Sequence, residues 1–294
     1  MTAAAALAAP AVGIRLSGSV TPLLALLMLC VSLTFDVAAL RVVLARPGVQ
    51  ALATLLVYGP MSVAGFVLGR VAFGSGALGL GITLVGVLPT DVSSPLFVLM
   101  ARGNVALATV CNAVNTALAP VLVPALLLLY TGVDLDVPVV GLAIELAGTV
   151  LVPTAVGVTI RSLIPARVEA VEPALSATAS LAYLALVLAV VGPNADTIID
   201  APATVAGVAG VALALNVIGY LVAAATRPVL PERADRTAML FTVSKKEFSI
   251  AAFVVFASGL PPQVAMPAVV YAVVQMLTSS LVARRLARHA PVKE

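Results

Sequence analysis

The sequence predicts an all-α protein that crosses a membrane many times, and three observations carry that prediction. The chain is 62% hydrophobic and 10% charged, where a soluble domain carries about 25% charged residues. Its mean hydropathy is +1.16, and a water-soluble fold of 294 residues has no way to hide that much apolar surface. Apolar runs of about 20 residues, the length that spans a bilayer core of about 30 Å, recur along the whole chain. Short punctuation separates them, such as ARPG at 45–48, ARGN at 101–104 and GPNAD at 192–196.

Nine such runs stand out, at residues 20–43, 50–72, 77–101, 105–131, 137–160, 173–192, 202–226, 237–257 and 262–284. Residues 1–19 carry no basic residue ahead of their apolar stretch, which excludes a secretory signal peptide. That stretch is also too short to cross before Pro10 and Arg15. It reads as an interfacial segment or the stump of a tenth, N-terminal helix. Residues 288–294 read as a tail, in which His289 is expected to be solvated. Cys30 and Cys111 fall in separate spans and read as small packing residues, not a disulfide framework.

Charge orients the spans. Arg41, Arg46, Arg102, Arg161, Arg167, Arg227, Arg233, Arg236, Arg284, Arg285, Arg288 and Lys293 fall on one side of a nine-span layout, and only Arg15 and Arg70 on the other. The opposite loops carry Asp134, Asp136, Asp196 and Asp200. Basic loops mark the cytoplasm, so the N-terminus is expected outside and the C-terminus inside an inner membrane. Basic residues dispersed as orientation signals give no basis for a nucleic-acid partner. The expected partners are the lipid bilayer and a small-molecule substrate, and oligomeric state has no signature.

Two spans are interrupted. The third carries PTDVSSP at its centre, with Pro89, Asp91, Ser93, Ser94 and Pro95. A proline lacks the N–H of an interior helical bond and crowds the preceding turn. The eighth carries TVSKKEFS, with Lys245, Lys246 and Glu247 consecutive. At 1.5 Å per residue, eight residues from the basic side place Lys245 roughly 12 Å deep, near mid-membrane. Irregular backbone survives at that depth only where protein or a water-filled cavity satisfies it. The two spans hold matching places in two halves, 20–131 and 137–287, and run in opposite directions. Such paired interruptions are the best sequence pointer to a transporter's binding site.

Asp91 and Glu247 balance Lys245 and Lys246 in charge. Three readings stay open. The triplet snorkels to an interface or lies in a loop; the charges form a structural ion pair; or they form a substrate or coupling site. A charge at mid-bilayer costs from ~2.5 to over 10 kcal/mol, and pairing across the crossing lowers that cost.

At these segments the chain resembles the bile acid:sodium symporter family. The stretches that carry the likeness are VLPTDVSSPLFVLMARGNVAL (87–107), NTALAPVLVPALLLLYTG (115–132), LPPQVAMPAVVYAVVQMLTSSLVARRLA (260–287) and LLALLMLCVSLTF (23–35). The resemblance runs from about residue 20 to 287. It implies a panel domain (spans one, five and six) and a core domain (the other six spans) with two broken helices crossing in the core, and secondary transport of organic anions by alternating access. The family's sodium ligands transfer poorly. Its Ser-Asn pair falls on Ser94 and Pro95, its Thr-Ser pair on Asn112 and Ala113, its acid on Phe241, and its two glutamines on Lys245 and Tyr58. Ser94 and Asn112 are the remaining weak sodium candidates. The inference is that Lys245 or Lys246 replaces a bound cation, its ammonium holding Ser94, Asn112 and backbone carbonyls together, with sodium or a proton as the coupling ion. No cofactor is expected.

Other polar residues within spans have weaker claims. Asn115 and Thr116 continue the polar face of Asn112, and Gln275 with Thr278 form another on the last span; each either lines the site or bonds between helices. Asn216 and Tyr220 read as packing. Glu145 faces either a cavity or the outer interface, and Asp36 has Arg41 nearby. GSGALGLG (74–81) reads as close helix packing, since no Lys-Ser/Thr follows. Two rival functions remain besides an anion transporter with doubtful sodium coupling. One is an arsenite exporter of the same fold, disfavoured because the first interruption holds no Cys. The other is a sodium-dependent symporter with altered ligands. A receptor or scaffold leaves the midplane charges unexplained, and an enzyme lacks any catalytic or metal-ligand set.

Overall fold

The computed structural model describes residues 10–35, 46–132 and 139–288. Asp36, Arg41, Asp134, Asp136, His289 and Lys293, together with parts of the expected first and fifth spans, lie outside the described residues.

The described chain is helical throughout. A short helix, α1 (Pro10–Ser17), bends by 82° into α2 (Val20–Leu33). Next come α3 (Pro47–Tyr58) and α4 (Pro60–Phe73), one apolar span kinked at Gly59 because Pro60 lacks an N–H to continue the ladder. The third expected span divides into α5 (Ala77–Val87) and α6 (Ser94–Met100), separated by residues 88–93. Then α7 (Val105–Thr131) runs unbroken through Pro120 and Pro124. Its N-cap Asn104 accepts from Leu107 N at 3.0 Å.

The second half opens with α8 (Val139–Leu146), joined through a π turn at Ala147–Leu151 to α9 (Val152–Leu163). The short α10 (Pro165–Ala170) leads into α11 (Glu172–Val191), then α12 (Ala195–Asp200) and α13 (Pro202–Ala224). The eighth expected span divides into α14 (Arg233–Ser244) and α15 (Phe248–Ala257), separated by residues 245–247. The last helix is α16 (Met266–Arg288).

Among the described residues, six helical stretches are long and apolar enough to cross a membrane on their own: 47–73, 105–131, 139–163, 172–200, 202–224 and 262–288. The bent pair α1–α2 makes a seventh candidate. The protein is an all-α, multi-pass membrane protein. Lipid-facing apolar side chains are exposed along the long helices, among them Val71, Leu129, Ile144 and Leu221.

Helix packing sorts the elements. α2 packs on α9 and α11, α4 on α5, and α13 on α14 and α16. The α4–α5 hairpin is so close that a Cβ on Gly86 meets Gly65 Cα at 2.8 Å, and one on Gly79 meets Gly69 O at 3.1 Å. A Cβ on Gly81 would overlap Val264 O. Gly79 and Gly81 of the GSGALGLG stretch therefore set backbone-to-backbone contacts, as small residues do between membrane helices. The buried core is richest where α5, α6, α14 and α15 meet. Every residue from Gly79 to Asp91 except Leu80 is buried, and so is every residue from Phe241 to Val255.

Candidate functional site

Four half-helices end at one point. A break inside a helix leaves orphan C=O groups on the first half and orphan N–H groups on the second. Their dipoles place partial negative charge at the ends of α5 and α14 and partial positive charge at the starts of α6 and α15. The two breaks lie across each other as a single antiparallel bridge between Thr90 and Lys246. Glu247 N donates to Pro89 O at 3.0 Å, and Asp91 N to Lys245 O at 3.3 Å. Pro89, which has no N–H to give, thus serves as acceptor. Pro95 sits in the first turn of α6, where a missing N–H costs nothing.

Lys246 closes the end of α5. Its ammonium donates to Gly86 O at 3.0 Å, Leu88 O at 2.9 Å and Val57 O at 2.8 Å. Two of these acceptors are C-terminal carbonyls of the half-helix, and the third lies beside the Gly59–Pro60 kink. All three ammonium donors are thereby used. Neutral side chains close the end of α14: Ser94 Oγ donates to Phe241 O at 2.9 Å, Thr90 Oγ1 to Thr242 O at 2.8 Å, and Asn216 Nδ2 and Tyr271 OH to Ser244 O at 2.8 and 2.6 Å.

Carboxylates hold the chain where it enters the second half-helices, in the turn ahead of α6 and as the N-cap of α15. Asp91 Oδ1 accepts from Ser93 N at 2.9 Å and from the Ser93 hydroxyl. Glu247 caps α15, its Oε1 accepting from Ser249 N at 3.3 Å and Ser249 Oγ at 2.6 Å. Its Oε2 reaches across the crossing to accept from Val92 N at 2.9 Å. The two caps have one pattern, an acid followed two residues later by a serine.

Lys245 takes the third position. Its ammonium lies 3.5 Å from Asp91 Oδ1, over the Phe97 ring at 4.5 Å, and 3.9 Å from Met276 Sδ. Gln275 clamps the bridge: Lys246 N donates to its Oε1 at 2.8 Å, while its Nε2 donates to Lys246 O at 3.1 Å and Asp91 Oδ2 at 3.2 Å. Asn115 joins from α7, donating to Thr90 Oγ1 at 3.1 Å and accepting from Thr54 Oγ1 at 2.8 Å. Asp91, Lys245, Lys246 and Glu247 are all fully buried.

The structure thus brings Asp91, Ser93, Ser94, Asn115, Lys245, Lys246, Glu247 and Gln275 to one crossing and corrects the expected work of the ammoniums. Both lysines enter the core, because residue 245 is extended (φ −105°, ψ 136°) and neighbours in extended backbone point to opposite sides. The ammoniums do not gather Ser94 and Asn112: Ser94 is committed to Phe241 O, and Asn112 Oδ1 accepts from Thr116 Oγ1 at 3.2 Å. The four charges do not form two pairs; among the described residues Lys245–Asp91 is the ion pair at the crossing. Asn216, read as packing, holds the end of α14 and accepts from Thr278 Oγ1 at 2.8 Å. Glu145 is exposed on α8.

Sequence reasoning passed over Tyr271 and Ser249. The acid-x-Ser repeat was a visible signal for Ser249; Tyr271 left none. It also missed Asp235, which is buried, pairs with Arg46 at 2.7 Å and accepts from Asn104 Nδ2 at 2.8 Å. Beside the crossing lies a small cavity of about 10 Å3, room for a single water molecule, between α2, α7 and α9, lined by Met28, Ser32, Val92, Asn112, Thr116 and Thr154. Asn112 Nδ2 borders it with no hydrogen-bond partner among the described residues.

Two buried helix breaks, paired and carrying balanced charge, are the arrangement of a transporter's midplane site. The family model described as "Sodium Bile acid symporter family" matches residues 21–201, more than half of the chain. The chain belongs to this family. It is a membrane transporter and not an enzyme, in a family of sodium-coupled secondary transporters. Among its relatives is the "Uncharacterized protein YbaS" of Bacillus subtilis, 27% identical over 85% of this chain and 82% of that one. The "Uncharacterized sodium-dependent transporter YocS" of the same organism is 25% identical over 91% of this chain and 83% of its own. Rice has a "Probable sodium/metabolite cotransporter BASS1, chloroplastic", 27% identical over 59% of this chain and 43% of its own.

Proposed function

We propose that this member of the family is a secondary active transporter of small organic anions that works by alternating access, with its site at the crossing of the two broken helices. The observation that carries the reading is the Thr90–Lys246 bridge, where four fully buried charged side chains meet beside a cavity. In this reading the chain crosses the inner membrane nine times as two inverted repeats, residues 20–131 and 137–287. The N-terminal segment 1–19 lies outside and the tail 288–294 in the cytoplasm. The packing of α9 and α11 on α2 supports a panel made of α2, α8–α9 and α11, with the remaining helices as the core. The cavity between α2, α7 and α9 then lies between panel and core, where rocking of one against the other opens it to either side. Asn112 offers a free amide donor to an acceptor oxygen of the substrate.

The residues present do not fit a resident sodium ion at the family's positions. The acid is replaced by Phe241 and an amide by Lys245. Ser94 Oγ is donated to a carbonyl. A carbonyl cluster of the kind that suits a cation, formed by Val57, Gly86 and Leu88, already holds the ammonium of Lys246. This lysine therefore supplies permanently the positive charge that a sodium ion supplies transiently, and transport proceeds without sodium. The test is uptake of radiolabelled small carboxylates into proteoliposomes under sodium, potassium or proton gradients. The expected result is uptake that does not require sodium. Strictly sodium-dependent uptake, with Lys246→Gln indistinguishable from wild type, would overturn the reading.

A further inference from the structure

The starts of α6 and α15 are the two places at the crossing where backbone donors and helix dipoles favour an anion, and the protein's own acids occupy both. Glu247 is the more telling of the two. Its Oε2 takes Val92 N just ahead of α6 and its Oε1 takes the backbone and hydroxyl of Ser249 in α15. One carboxylate thus bridges a backbone donor of the first break and the donors of α15, which is the pose that a substrate carboxylate needs in order to be read by both repeats.

The surroundings separate the two acids. Asp91 has the Lys245 ammonium at 3.5 Å and a Gln275 amide at 3.2 Å. Glu247 is held by neutral donors, and no described cation lies within ion-pair distance of it. The titratable groups that face Glu247 are Asp91 across the crossing, Lys245 in its own break and Tyr183 from α11. Lys246, its chain neighbour, is turned away onto three carbonyls. Charge balance then sets the coupling. With both acids ionised the four side chains sum to zero, and an incoming anion leaves the buried site at minus one. With Glu247 protonated the site carries plus one, and a monoanion restores neutrality.

We propose that Glu247 is a resident stand-in for the substrate carboxylate and the proton carrier of the transport cycle. On the entry side Glu247 takes a proton from water and gives up the Val92 and Ser249 donors, which the substrate carboxylate then accepts. On the exit side the anion leaves, the proton returns to water, and the Glu247 carboxylate re-occupies the donors. One proton moves with each monoanion. This rests on the anion-transport reading above and adds the coupling ion and its carrier.

The test uses the purified full chain in lipid nanodiscs with acetate, pyruvate and benzoate as probes. Binding is read by thermal shift across mildly acidic to mildly basic pH, and proton uptake by a pH dye in weak buffer. Wild type is expected to take up one proton per anion bound, and its affinity is expected to fall about tenfold per pH unit where Glu247 is ionised, the linkage slope for one proton. Glu247→Gln is expected to bind the same probes with no pH dependence and no proton uptake. Wild-type binding without proton uptake would overturn the proposal and leave the anion reading standing, and so would a Glu247→Gln protein that keeps the full pH slope. If no carboxylate binds wild type at any pH, the anion reading fails and takes this proposal with it. The wild-type proton count decides the matter even where the variant does not fold.

Discussion

Two adjacent lysines share one burial and have different work. Lys246 closes a half-helix by giving three donors to three carbonyls, whereas Lys245 neutralises Asp91 and packs on Phe97. Removing the first leaves buried acceptors without partners, at about 1–3 kcal/mol each. Lys246→Met is therefore expected to lower stability by several kcal/mol, read as a fall in thermal unfolding midpoint in detergent. An unchanged midpoint contradicts the carbonyl cage. Removing one partner of a buried pair costs about 3–5 kcal/mol, because the other charge is left stranded. Lys245→Met and Asp91→Asn are thus each expected to destabilise, and the double variant by clearly less than the sum. Additive losses in that cycle would mean that the 3.5 Å pair carries no coupling. That charges lie within a span was legible in the sequence, because three of them interrupt an apolar run, and all three are buried. Their partners were not. Backbone carbonyls such as Val57 O carry no side-chain signature, and the extended backbone at residue 245, which sends both lysines into the core, has none either.

The half-helix is the unit that makes those charges tolerable. Each break exposes about four orphan groups on either side, and the two breaks cross so that each repeat's side chains cap the other's backbone: Thr90 and Ser94 serve α14, and Lys246 serves α5. The breaks themselves were legible from Pro89, Pro95 and the charged triplet, and the glycine stretch 74–81 correctly signalled close packing. The length of each half-helix was not legible, because the flanking residues are apolar with or without a break. The hairpin that brackets the first break has a direct check. A Cβ at Gly86 meets Gly65 Cα at 2.8 Å and Met61 O at 2.9 Å, and those backbone atoms have little room to yield. Gly86→Val is expected to abolish the monodisperse peak of a fluorescent fusion in size-exclusion chromatography, whereas Gly48→Ala, with open space around it, is expected to leave it intact. Equal profiles for the two would contradict the packing described.

At the scale of the molecule, composition alone made the multi-pass, all-α class legible, and the family followed from motifs spread over most of the chain. The layout of nine crossings depends on counting two broken pairs and the bent N-terminal pair as spans, and helix length alone does not supply that: six stretches qualify on their own. The proposed orientation has its own check. In a background lacking Cys30 and Cys111, a cysteine at Arg227 is expected to react with an impermeant maleimide only after the cells are opened, and one at Ser75 in intact cells. The reverse pattern would invert the topology. The account as a whole stands on the claim that a lysine ammonium fills the role of a bound cation. The most direct measurement is equilibrium binding of radioactive sodium to the purified wild-type protein. No saturable binding is expected, whereas saturable uptake of one or more sodium ions per chain would contradict the claim.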